Sequence, residues 1–294
     1  MNMKSTSFPN PKSLKEWENL IGLQEEKKTL LDSLTLLLSP ENFQGWLEKH
    51  HPNGIRLSTL IDTTTPFVIL SGDVGCGKTA LARCIGAPLS EKLDAHINLI
   101  EAPTDMRGTG LVGEISARIA STFEATKTKV SKNRYTLLLL DEGDDIATSR
   151  EQLQAHHEDR AGVNALIKEL DKLQGLKVAV ILISNRKESL DPALLRRASL
   201  HLDFTRPQGQ ALDLLINNLL EGVEATPEEI KQLRDQCNQT IPYTTSDLIH
   251  RVGRNALITA YQEHRSLSVN DFIQAAKMTQ PTPIFKDKRD WDEK

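Results

Sequence analysis

Eight consecutive residues, Gly72, Asp73, Val74, Gly75, Cys76, Gly77, Lys78 and Thr79, spell a complete GxxxxGK[ST] loop. The chemistry such a loop supports is the holding of a polyphosphate. Glycines let successive backbone N–H groups curl round an anion, and the helix that follows points its positive end at the same place. Lys78 supplies a cation for the β- and γ-phosphates of a nucleoside triphosphate, and Thr79 a hydroxyl for Mg²⁺. A second pair of groups, Asp141 and Glu142, follows the apolar run Leu137 to Leu140. Adjacent carboxylates in that place suit a division of labour in which Asp141 holds Mg²⁺ through water and Glu142 orients and activates an attacking water. Asn185 closes a further apolar run, Val178 to Ile183, where it can set a neutral amide beside the γ-phosphate. Asparagine at a strand end is also an ordinary turn residue, and only its position in this series gives it interest.

These groups need strands to deliver them. The phosphate loop is entered from Phe67 to Leu70 and left through the helix-prone Ala80 to Arg83. Further apolar segments at Ile97 to Ile100, Thr136 to Leu140, Val178 to Ile183 and Leu200 to Phe204 read as buried parallel strands separated by helical patterns. Strands alternating with helices predict an α/β fold, a three-layer P-loop NTPase domain with a parallel sheet covered on both faces. After Arg206-Pro207 only helices are predicted: Gln210 to Leu220, Thr226 to Gln236, Ser246 to His264 and Ser268 to Lys277. Thr226-Pro227-Glu228-Glu229 is a helix start with a cap and early acids, and Ser268 with Asp271 has capping-box spacing. The expected organisation is a large α/β domain over 1–205, with 1–14 flexible, then a small helical lid over 206–278 and a charged flexible tail over 279–294.

With 294 residues of which 38% are hydrophobic, the chain can bury a substantial core. No run of about 18 apolar residues occurs, and Met1 to Pro11 lacks the apolar centre of a signal peptide, so no membrane association and a cytoplasmic location are expected. The three cysteines, Cys76, Cys84 and Cys237, are odd in number and show no metal spacing, which argues against a disulfide framework or a zinc site. Cys76 lies within the phosphate loop, where alkylation of its thiol is expected to cost activity. A net charge of −4 speaks against broad nucleic-acid binding. No internal repeat or low-complexity tract is present.

Taken together the motifs resemble those of the AAA ATPases over about residues 17 to 275. Trp17 to Leu23 is similar to the opening segment of that family, whose Ile21-Gly22 backbone borders the adenine. Asp141 to Ile146, continuing through Ser149-Arg150-Glu151, resembles the extended Walker B region, Asn185 the first sensor, and Leu190 to Arg197 the second region of homology. In the lid, Thr245-Ser246-Asp247-Leu248 resembles the family's Gly-Ala-Asp-Leu stretch, which places Ser246 near the nucleotide; Leu248 stands where clamp loaders and replication initiators carry a sensor arginine. Arg251 and Arg254 have no assigned task. The resemblance implies a ring homo-oligomer, a hexamer, in which an arginine of one subunit reaches the γ-phosphate of the next. Arg196 aligns with the first such finger, Ser199 replaces the usual second, and Arg197 is the substitute; an arginine pair at a helix end also simply satisfies carbonyls.

The resemblance further implies that Leu111-Val112, ahead of Gly113-Glu114, form a first pore loop gripping an extended polypeptide, without the usual aromatic residue. A glycine-rich helix entry is the plainer reading of that segment. His156-His157 fall at a second pore loop; as adjacent residues they lack the i, i+4 spacing of a helical metal site. No HExxH protease motif occurs, and residues 1 to about 16 leave no room for an adaptor-binding domain. Trp17 to Ile21 with Leu30-Leu31-Asp32, Asp159 to Asn164 and Asp191 to Ala198 resemble the branch that remodels HORMA-domain proteins, the thyroid-receptor-interactor type, in a bacterial form without an N-terminal domain. That resemblance implies a HORMA-domain client accompanied by a cyclic-nucleotide synthase, a nucleotidyltransferase, in anti-phage signalling. A generic AAA chaperone, unfoldase or enzyme activase, and a nucleotide-gated scaffold with little turnover, remain as alternatives. Intact Glu142, Asn185 and Arg196 speak against the scaffold.

Overall fold

The computed structural model describes residues 3–61, 64–103, 113–131, 133–147 and 157–284. The chain divides into two compact units: Met1–Asn19 with Glu25–Gly72 and Lys78–Asp203, and Leu20–Gln24 with Asp73–Gly77 and Phe204–Lys294. Among the described residues no helix is long and apolar enough to cross a membrane.

The first unit is built on a sheet of strands β1 (Lys4–Phe8), β2 (Phe67–Gly72), β3 (His96–Glu101), β4 (Arg134–Leu140), β5 (Val178–Ile183) and β6 (Leu200–Phe204), in the spatial order β1-β3-β4-β5-β2-β6. The pairs β3 with β4, β4 with β5 and β5 with β2 are parallel. Every residue of β5, and every residue of β4 after Arg134, is buried, as expected for strands covered on both faces. One cover comes from helices Glu114–Lys127 and His157–Asp171, whose Ile115, Ile119, Phe123, Val163, Leu166 and Leu170 pack with strand residues Ile69, Leu138, Leu140 and Val180. Helix Gln24–Leu38 buries Leu30, Leu34 and Leu38 at i, i+4 spacing.

The expectation of a flexible segment over 1–14 is corrected. Lys4 to Phe8 pair antiparallel with Ile97 to Glu101, and helix Pro11–Glu18 follows, capped by Asn10, whose side-chain oxygen accepts from the Lys12 and Ser13 amides at 3.1 and 3.4 Å. The strand is polar because it is the sheet's edge and most of its side chains meet water. Its one buried side chain is Phe8, 1% exposed, whose ring lies where a Cβ on Gly86 would stand only 2.4 Å away.

The second unit packs helices Gly209–Leu219, Pro227–Cys237, Arg254–Gln262 and Val269–Met278 around Leu215, Ile216, Leu233, Tyr243, Leu248, Phe272 and Ile273. Both capping boxes form, Thr226 with Glu229 and Ser268 with Asp271. The helix predicted over Ser246 to His264 opens instead as a π-helical stretch, Asp247–Gly253, with Gly253 facing the Leu248 carbonyl so closely that a Cβ would lie 3.2 Å from it. The segment expected to be a flexible tail begins with residues that are held in place. The Tyr243 hydroxyl lies 2.5 and 2.7 Å from the carbonyls of Ala276 and Thr279, and the Thr282 amide and hydroxyl donate to the Asp247 carboxylate at 2.9 and 2.8 Å. Residues 285–294 lie outside the described residues.

Candidate nucleotide site

Pairing register brings the chemistry-bearing strand ends together. Leu70 of β2 stands opposite Ile183 of β5, and Leu140 of β4 opposite Leu182, so the phosphate loop, Asp141-Glu142 and Ser184-Asn185 all leave the sheet at its carboxyl edge. The connection after β2 runs to β3 on one side, while that after β5 runs to β6 on the other. Such a reversal opens the crevice in which α/β sheets bind ligands.

The loop has the backbone an anion cradle requires. Gly72, Gly75 and Gly77 have φ of 123°, 78° and 94°, and a Cβ would stand 2.8 Å from the Thr244 hydroxyl at Gly75 or 2.9 Å from the Leu23 side chain at Gly77. Lys78 opens helix Lys78–Cys84, is 4% exposed and donates to the Gly72 carbonyl at 2.7 Å. Thr79 places its hydroxyl 3.4 Å from an Asp141 carboxylate oxygen, so the two groups expected to serve Mg²⁺ face one another. Within the second unit, the Ser246 amide donates to the Gly75 carbonyl at 2.9 Å, and Gly22, at φ 77°, is packed against the Ala211 carbonyl. Ile21 is half-buried beside it. Val74 is exposed, and Cys76 is buried at 1% exposure with its sulfur turned back to the Val74 carbonyl at 3.9 Å.

Glu142 is exposed and sits at φ 55°, a left-handed backbone unusual for a residue with a side chain. Its amide donates to Asp141 at 3.0 Å. The turn is forced by Gly143, whose amide reaches the Ile183 carbonyl at 2.7 Å and whose missing Cβ would lie 2.7 Å from Leu182 and 2.9 Å from that carbonyl. Asp144, named in the sequence only as part of a motif, bridges the two strand ends: it accepts from the Ser184 hydroxyl and, at 3.2 Å, from the Asn185 amide. Arg83 lies 3.9 Å from Asp141 and also pairs with Glu101 at 2.9 Å. Burial alone would raise the Glu101 carboxyl, but hydrogen bonds from Lys4 and Arg83 hold it below the usual range. At the base of the loop, the Ser71 hydroxyl meets His201 at 2.8 Å and Asp203 at 3.2 Å, fastening β2 to β6. Only a contact map would have found either tie, because the partners are 40 and 130 residues apart.

The two candidate finger arginines differ. Arg197 forms a two-point ion pair with Asp171 at 3.0 and 3.4 Å and donates to the Ala193 carbonyl. Arg196 is exposed and donates to the Pro192 carbonyl at 3.2 Å. Both follow the short helix Pro192–Leu195, capped by buried Asp191 through the Ala193 amide at 2.8 Å. Of the residues expected to form pore loops, Leu111, Val112 and His156 lie outside the described residues, as do Ser149 to Glu151 of the expected Walker B extension. Gly113 caps helix Glu114–Lys127 at φ 84°, and His157 begins the helix His157–Asp171.

Residues 68–206 match the family described as ATPase family associated with various cellular activities (AAA). Over 96% of its length the chain is 35% identical to CD-NTase-associated protein 6 of Escherichia coli (strain MS 115-1), covering 95% of that protein. Among solved structures it is similar to a chain of the E. coli MS115-1 HORMA:CdnC:Trip13 complex, with a TM-score of 0.89, 34% identity and coverage of 96% and 97% of the two chains. Rhizobiales Trip13 is similar at a TM-score of 0.74 and 29% identity, covering 95% of this chain and 98% of that one.

Proposed function

The chain belongs to the AAA family of ATPases, and from that premise we propose that it is an ATP-driven remodeller that forms a homohexameric ring and disassembles a HORMA-domain client accompanied by a nucleotidyltransferase in anti-phage signalling. The observation that carries the mechanism is the meeting of Lys78, Thr79, Asp141, Glu142 and Asn185 at one edge of the sheet, set by the registers Leu70 with Ile183 and Leu140 with Leu182. Lys78 and the loop amides bind the triphosphate. Thr79 and Asp141, whose side chains face one another, would hold Mg²⁺, which would supply neutralisation of the triphosphate's charge. Glu142 takes the proton of the attacking water, and Asn185 orients that water from the β5 side. Arg196, exposed and held by a backbone carbonyl, is the group available to a neighbouring subunit, whereas Arg197 is spent on Asp171. Leu111-Val112 and Gly113 would carry the resulting movement to the client, with His156-His157 as a second loop.

The client assignment is supported by likeness along nearly the whole chain to a member of a complex that contains HORMA and CdnC. The test is to assemble a cognate HORMA protein with its nucleotidyltransferase and add this chain with ATP. ATP should release the HORMA protein, and Glu142→Gln should bind ATP and the complex without releasing it. Stable HORMA complexes in the presence of rapid ATP turnover would return the protein to a generic remodeller.

A further inference from the structure

Asp73 places a carboxylate inside the loop that must receive a triphosphate. Like charges in one loop oppose each other, and at an effective dielectric of about 20 the opposition changes affinity on the order of tenfold. Arg206 answers that carboxylate. Its side chain is 4% exposed, and its Nε donates to Asp73 at 2.8 Å. Nη1 donates to the carbonyls of Pro242 and Thr282 at 2.7 and 2.6 Å, and Nη2 to that of Pro283 at 3.1 Å.

A guanidinium so buried is tolerated only when its donors are matched, and here three carbonyls fix the fork and leave one edge for a carboxylate. The carbonyls are themselves fixed. Thr282 hangs from Asp247 by its amide and hydroxyl, and Asp247 is tied to the Thr244 amide at 3.2 Å and to Arg251 at 2.7 Å. Thr244 is also the residue that crowds Gly75.

We propose that Arg206 is a positioning and charge-neutralising residue of the nucleotide site, cancelling Asp73 so that the phosphate loop accepts ATP, with the strap Thr282–Pro283 aiming its guanidinium. This rests on ATP binding by the loop and is independent of the client. Nothing in the GxxxxGK[ST] pattern calls for an acid at Asp73 or for a cation 133 residues away.

The test reads affinity directly, by titrating a fluorescent ADP and a slowly hydrolysed ATP analogue into four proteins: the unaltered chain, Arg206→Met, Asp73→Asn and the double variant. Arg206→Met should weaken nucleotide binding about tenfold, raising KM for ATP with little change in kcat. Adding Asp73→Asn should restore affinity to within about threefold of the unaltered chain, on the same electrostatic reasoning, although every Arg206 contact is still missing. A structural role alone predicts a double variant as weak as Arg206→Met or weaker, and that result overturns the proposal. If Arg206→Met does not fold, Asp73→Asn decides by itself. Tighter nucleotide binding, from a now uncancelled Arg206, supports the proposal, and equal or weaker binding overturns it.

Discussion

Replacing Glu142 by glycine and, separately, by alanine should reverse the usual order of these two residues. At an ordinary strand or helix position alanine is the more stable by about 0.5–1 kcal/mol, because glycine has more chain entropy to lose. At φ 55° the Cβ of any L-residue is crowded by the backbone, at a cost of about 1–2 kcal/mol that glycine escapes. The difference leaves Glu142→Gly more stable than Glu142→Ala by about 1 kcal/mol, and since the side chain is exposed no packing term intervenes. For a unit of this size that is a shift of about 2–4 °C in the unfolding transition. Both variants lack the carboxylate and should be equally inactive, so the comparison separates backbone cost from chemistry. The assay is thermal unfolding without nucleotide, followed by near-ultraviolet circular dichroism, with phosphate release measured in parallel. An alanine variant as stable as the glycine variant, or more so, would refute the idea that the site holds Glu142 in a strained conformation.

Two further outcomes are expected. Arg196→Ala should lower kcat by about 10³ while leaving nucleotide affinity unchanged, and mixing it with Glu142→Gln subunits should restore part of the turnover; Arg197→Ala should cost only the roughly 0.2–1 kcal/mol of its half-exposed pair with Asp171. Equal losses in the two variants would undo the distinction. Burial alone would raise the Asp247 carboxyl, but hydrogen bonds from Thr282, Arg251 and Thr244 outweigh it and hold it at about 2. A depressed carboxyl contributes stability above its unfolded value, near 4, and loses it as pH falls towards about 2. Amide exchange at Thr282 should therefore quicken across that window, and an Asp247→Asn variant should show a flatter pH profile.

The buried strands were legible because β2, β4 and β5 are covered on both faces and so appear as unbroken apolar runs. The edge strand β1 was not, since Lys4, Ser5, Thr6 and Ser7 are chosen for water and not for a core. The loop and the Asp141-Glu142 pair were legible because their chemistry is local in the chain. Hidden from the sequence were properties that only folding creates: the left-handed turn at Glu142, imposed by the crowding of Gly143 against Leu182; the bridge from Asp144 to Ser184 and Asn185; and the reach of Arg206 to Asp73. The π-helical start at Asp247 escaped for a related reason, because helical periodicity does not distinguish one hydrogen-bond spacing from another over seven residues.

The edge strand has one more consequence. Without Lys4 to Phe8, the outward row of amides and carbonyls on β3, an apolar strand containing Ile97, Leu99 and Ile100, would lie bare. An uncovered edge of that kind templates pairing with other chains. The first few residues thus guard that edge against pairing with other chains: shortening the chain to Pro11 should lower the soluble fraction recovered on expression, and an unchanged soluble yield would refute this role.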